Sequence, residues 1–165
     1  MSLYVCSLAN NNVRSIPASK WVALPFPYTT PPTSYDPWEM HRPTQPGGTV
    51  SAYPDKYSAL IHPAADGWGT LEGHIELEAG DYDEVRTRFV RDPYGSGDEA
   101  DDRTNTEHHA CSPGMQFFTV LHRMFLHPGV PVAFQIYIGG GSGPVDLVYS
   151  QFKLDVNDDV AVPGA

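Results

Sequence analysis

Three things are scarce in this chain, and each scarcity closes off a class of protein. Cysteine is nearly absent. Cys6 and Cys111 are the only two, so no disulfide framework holds the fold and no set of thiols is spaced for a structural zinc. A single bridge between them is the open alternative, but two cysteines in a chain of this size without an export signal are more often free and buried. Long apolar runs are missing too. None approaches the ~18 residues that cross a bilayer as a helix. The N-terminal MSLYVCSLANNNVRS lacks the basic segment and cleavage pattern of a secretory leader, so the expectation is a soluble protein not exported by that route. Basic charge is the third shortage. Ten Lys and Arg stand against twenty Asp and Glu, for a formal charge of −10, and such a surface repels the phosphates of DNA and RNA. Neither nucleic acid nor membrane is expected as a partner.

Uninterrupted helical windows are also lacking. Sixteen prolines and fifteen glycines are spread through 165 residues, and they break almost every window of the ~11 residues that a mean helix needs. What remains is strand alternation. In WGTLEGHIELEAGDY, Leu71, Gly73, Ile75 and Leu77 share one face, and Glu72, His74, Glu76 and Glu78 the other. DEVRTRFVRDP puts Val85, Thr87 and Phe89 on one side with Arg86 and Arg88 opposite, where they could pair with those glutamates on a neighbouring strand. MQFFTVLHRMFLHPG, residues 115 to 129, fits two readings. Phe117, Leu121 and Phe125 share a strand face, while Phe117, Leu121, Met124 and Phe125 also fit a 3.6-residue repeat. The strand is preferred, because VPVAFQIYI alternates cleanly after a short HPG turn. GGGSGP reads as a hairpin tip, and VDLVYSQFKLDV changes phase near Ser150, as a bulge would make it do. A segment apolar on both faces, as 117 to 126 is, needs cover on both, and a partner subunit is one source of it.

Residue patterns for catalysis are thin. His74 and Glu76 suggest half of a cupin metal site, but the second His and a later His partner are absent. His108, His109 and Cys111 lie in a long polar stretch, 92 to 114, without finger or ribbon spacing. GDEADD within it lacks the order of an EF-hand loop. Ser142 in GGGSGP sits in neither a nucleophile elbow nor a Walker A loop. No catalytic residue, cofactor or metal is assigned, and the chain is not expected to be an enzyme. Aromatics such as Trp38, Tyr53, Tyr57 and Tyr94 are candidates for stacking on sugars, although such residues more often pack in a core or between subunits.

In order along the chain, NVRSIPASKWVALPFPYTT, YDPWEMH, YSALIHPAADGWGTLEGHIELEAG, VRTRFVRD, FFTVLHRMFLHPGVPVAFQIYIGGGSG and VYSQFKLDV resemble the C1q/TNF-like jelly-roll modules of virion proteins from tailed phages, especially phages of actinobacteria. The matching positions include Trp21 and Val22, then Asp36, Met40 and His41, then Pro63, Gly67 and Trp68. Leu126, Pro128 and Gly129 follow, and Ser150 with Phe152 closes the pattern. Val130 stands where the family has an acid. The resemblance implies an all-β jelly-roll sandwich over residues 1–157, with an N-terminal arm, a Pro-rich loop at 28–49 and a flexible tail at 158–165. It implies a homotrimer, with Phe117, Phe118, Val120, Met124, Leu126 and Tyr137 as its interface. The function it implies is that of a minor capsid protein on the virion surface, assembled in the host cytoplasm, which decorates and stabilises the shell by binding the major capsid protein. Tyr35, Asp36, Trp38, Met40 and His41 would form a loop that packs on the sandwich edge or contacts the shell. The alternative is a receptor- or glycan-binding module of a phage tail or surface appendage.

Overall fold

The computed structural model describes residues 2–28, 34–95, 102–104 and 106–158. Among them ten strands form: β1 Leu3–Asn10, β2 Arg14–Ile16, β3 Val22–Ala23, β4 Gly67–Leu77, β5 Glu84–Arg91, β6 Asp102–Arg103, β7 Glu107–Ala110, β8 Gln116–Leu126, β9 Val132–Gly139 and β10 Val145–Asn157, with one 3-10 turn at Lys56–Ala59. They make two antiparallel sheets. Sheet I runs β1-β10-β4-β8, with β2 also on β10, and sheet II runs β3-β9-β5-β6, with β7 also on β5.

The alternation read from the sequence sets which side chains meet between the sheets. Every second residue of β4 from Gly67 to Leu77 is buried, and Val85, Thr87 and Phe89 of β5 face them from sheet II. Four phenylalanines fill the centre. Phe89 lies 5.1 Å from Phe134 and 5.6 Å from Phe152, and Phe26 lies 6.4 Å from Phe152, between ring centroids. Each such ring contributes about 1.5–3 kcal/mol by leaving water. Gly73 makes room for them, because a Cβ there would come within 2.5 Å of the Phe134 ring.

Several expectations change once the strands are assigned to sheets. Alternation reveals which side a residue faces, not which strand lies beside it. β4 and β5 are therefore in different sheets: Glu72 pairs with Lys153 at 2.8 Å, Arg86 with Glu84 at 2.8 Å, and Arg88 donates to Gln135. The HPG turn closes between His127 and Val130, yet it carries the chain from β8 in sheet I to β9 in sheet II, and GGGSGP carries it back to β10, so neither is a hairpin tip. The ambiguous segment is a strand, paired with β4 over all eleven residues from Gln116 to Leu126. The phase change in β10 is a bulge between Leu147 and Tyr149.

The N-terminal segment is no free arm. Leu3–Asn10 pairs with β10 along its full length and fills the sheet edge. Residues 34–49 lie against their own sandwich through Met40, His41 and Gln45. In the polar stretch, β6 and β7 pair with β5, while most of GDEADD and the tail beyond Asp158 lie outside the described residues. No helix among the described residues is long and apolar enough to cross a membrane.

Candidate functional site

The outer face of sheet I carries the main exposed apolar surface. Because β8 alternates, its two sets of side chains diverge. Gln116, Val120 and Leu126 are buried, and Phe118 and Met124 pack against the core. Phe117, Thr119, Leu121, Arg123 and Phe125 point the other way. Register with β4 sets Phe117 beside Glu76, Leu121 beside Glu72 and Phe125 beside Trp68. Phe117 is 58% exposed, Leu121 63% and Trp68 49%, while the Trp68 and Phe125 rings meet edge to face at 6.0 Å. Polar groups sit between these apolar ones. Glu72 takes Lys153, and His74 bridges Thr119 at 2.7 Å and Glu76 at 3.2 Å. β8 also ends the sheet among the described strands, and a long edge strand with an apolar face is a surface that proteins normally cover.

Of the six interface residues expected from sequence, Phe117 alone is exposed on this face. Val120 and Leu126 belong to the monomer's own core, and Phe118 and Met124 lean on it. Tyr137 lies across the sandwich, on the outer face of sheet II, 5.1 Å beneath the Arg86 guanidinium. The outward apolar row therefore consists of exposed Phe117, Leu121 and Trp68 and half-buried Phe125. Its signal in the sequence was the alternate set on the same strand, whose two faces are too alike in hydropathy to rank.

The Tyr35–His41 loop is built around Asp36. Its two carboxylate oxygens accept the amides of Met40 at 3.0 Å and His41 at 2.8 Å, and Tyr35 exchanges backbone hydrogen bonds with Ser7 of β1. This fold-back drives Met40 into the core and lays Trp38 edge-on to Tyr4 and Tyr35. Cys6 sits behind the loop, and burial together with the Asp36 charge pushes its thiol far up, so it stays protonated. His41 stacks on Tyr28 and its Nε2 meets Ser58 O at 2.9 Å. Burial holds His41 below its ordinary value and, with the Arg42 and His41 charges, takes His62 down to about 4. Gln45 ties His62 and Tyr28 together. A hollow of about 640 Å³ opens beside Tyr28, Asp36, His41 and Gln45. Its Tyr28, Asp36, His41 and Gln45 side chains are engaged in holding the loop and its neighbours.

The other candidates separate. His74 and Glu76 are on the outer face of the sheet, not inside the sandwich. His108 pairs across from outward Arg86 and reaches Glu84 at 2.7 Å, whereas His109 pairs across from buried Val85 and stacks on Phe118 at 4.3 Å. The two histidines therefore point to opposite sides of β7. Ser142 donates to Asp81, Tyr53 receives Asn10 Nδ2, and Tyr57 meets Tyr94 edge-on with Lys56 Nζ 4.9 Å from both rings. Cys6 and Cys111 are free.

One cluster escaped the sequence reading. On the outer face of sheet II, the Arg88 guanidinium lies 4.0 Å from the Trp21 ring centroid, Trp21 lies 5.7 Å from Tyr137, and Arg86 covers Tyr137. Alternation placed both arginines outward, but Trp21 is more than sixty residues away in sequence and no local pattern links it to them.

Two facing antiparallel sheets, with chain crossings between them at 127–131 and 140–144, define a jelly-roll β-sandwich. More particularly, the fold is that of C1q and TNF domains. The chain superposes on Eiger TNF from S. frugiperda with a TM-score of 0.57 at 12% identity, covering 99% of this chain and 98% of that one. It matches murine APRIL with 0.59 at 11% identity over 94% and 100%. With the globular domain of zebrafish complement 1qA the values are 0.57 at 10% identity over 92% and 94%. No protein-family model matches the sequence, and no curated protein does.

Proposed function

We propose that this jelly roll is a non-catalytic structural module that associates with copies of itself through the outer face of sheet I, three copies around one axis, and that the trimer decorates and stabilises the capsid shell of a tailed phage. The observation that carries self-association is the row of exposed Phe117, Leu121 and Trp68, with half-buried Phe125, on and beside an edge strand. Full burial of each large apolar side chain is worth about 1.5–3 kcal/mol. Association costs at least ~4 kcal/mol in lost freedom, so the three exposed residues with half-buried Phe125 together exceed that cost where one would not. Glu72, Glu76, His74 and Arg123, interspersed with the row, supply polar contacts that orient one copy on the next.

The shell role rests on the order of motifs in the sequence and on multivalency. A trimer presents each docking loop three times, and linked contacts bind a repetitive lattice more tightly than one contact would. The negative charge of the chain suits a basic outer shell surface. The test has two stages. Light scattering should give a mass three times that of the chain, and the trimer should then bind saturably to shells that lack it. A trimer that ignores shells removes the decoration role and leaves the self-association.

A further inference from the structure

We propose that the outer face of sheet II binds an acidic glycan, a sugar chain carrying spaced carboxylate or sulfate groups. This goes beyond the assembly proposed above and does not depend on it, because the two outer faces lie on opposite sides of the sandwich.

The scarce positive charge is gathered on this face. The chain has ten Lys and Arg against twenty acids, yet Arg86, Arg88 and Arg103 line one hollow and Arg14, Lys20 and Lys56 an adjoining one, with Trp21 in the wall of both. Six of the ten cations thus border one continuous band, whose two hollows measure about 560 and 350 Å³. Volumes of that order suit small polar ligands. Among the described residues, the acids placed on the band are Asp55, which lines the second hollow, and Glu84, which binds Arg86 and His108.

The arginines are held in place before any ligand arrives. Arg88 lies over Trp21, 4.0 Å from its ring centroid, with its Nε donating to Gln135 at 2.8 Å, and Arg86 lies over Tyr137 with its Nη2 on Glu84 at 2.8 Å. A guanidinium fixed on an aromatic face loses little freedom on binding, and its planar fork matches a carboxylate or sulfate. Lys56 is held likewise between Tyr57 and Tyr94. Trp21 and Tyr94 give the band apolar walls suited to the C–H faces of a sugar ring.

The rest of the molecule selects among polyanions. A net charge of −10 opposes duplex DNA, whose charges recur every ~1.7 Å along the axis. An acidic sugar chain carries fewer charges per length and can lie along the band without bringing a dense charge array over the acidic surface.

The experiment is calorimetric titration of the full chain with a sulfated hexasaccharide, a hexagalacturonate, neutral dextran and a short DNA duplex. The exposed pair Lys20→Gln/Arg103→Gln is compared with wild type, and melting curves confirm that the variant is folded. Binding of at least one acidic oligosaccharide is expected. It should weaken with added salt and by about tenfold in the double variant, as loss of two charge contacts implies. Dextran and the duplex should bind at least tenfold more weakly. The proposal fails if neither acidic sugar binds at low salt, if the double variant binds as tightly as wild type, or if the duplex binds equally well.

Discussion

Gly73 and Asp36 show how single residues hold this fold together. At Gly73 the space that a side chain would occupy belongs to Phe134. Gly73→Val should therefore cost about 1–3 kcal/mol, the usual penalty of overpacking, seen as a lower urea midpoint with an unchanged slope. Asp36 is a clamp. Without its carboxylate the amides of Met40 and His41 lose their acceptors, and hydrogen bonds to a charged group are worth about 1.5–3 kcal/mol. Asp36→Ala should lower stability by about 2 kcal/mol or more and raise the exposure of Trp38, read by its fluorescence. His62 sets a pH dependence. Its folded value of about 4 lies below the ordinary 6.5, so the folded state binds fewer protons than the unfolded one between those values. Its contribution is complete above pH 6.5 and is lost as pH falls towards 4. Asp55 acts in the same direction at lower pH. Burial opposes its ionisation, but hydrogen bonds from Ser51 and three backbone amides hold it below the usual carboxylate value. Melting temperature should fall from pH 7 to pH 4, and His62→Gln should flatten that fall.

At the scale of elements, β4, β5 and β9 were legible because one of their faces is clearly more apolar than the other, or because a clean alternation ran between turn signals. Leu71, Ile75 and Leu77 are in the core for the reason their spacing suggests. β8 was legible as a strand but not as an oriented one. Phe117, Leu121 and Phe125 on one face compete with Phe118, Val120 and Met124 on the other, and what decides between them is the position of sheet II. That depends on chain crossings at 127–131 and 140–144, where the turn residues are visible but the destination of the chain is not. The cluster on sheet II stayed hidden for the same reason, since Trp21 reaches Arg88 only through the packing of the 17–23 segment on β9 and β5. The orientation of β8 has a direct test. Leu121→Asp changes an outward side chain and should leave a cooperatively folded chain whose melting temperature no longer depends on concentration. Val120→Asp, one residue along, puts a charge into the core and should prevent folding.

For the whole molecule, the sandwich has two unlike outer surfaces. Sheet I offers apolar side chains beside an open edge, which suits copies of the same chain. Sheet II offers arginines fixed on aromatic rings, which suits an anionic ligand. The division keeps the proposed self-association and the proposed anion binding on separate faces of an acidic chain. The general fold was open to sequence reading through the order of its motifs. The exposed apolar row was open only down to the strand that carries most of it, because which face of β8 turns outward is a property of geometry. Light scattering of the wild type and of Leu121→Asp, over a wide range of concentration, decides whether the outer face of sheet I joins copies of the chain. Three chains per particle are expected for the wild type and one for the folded variant. A wild-type monomer at every concentration, or a variant that remains trimeric, would contradict that assembly.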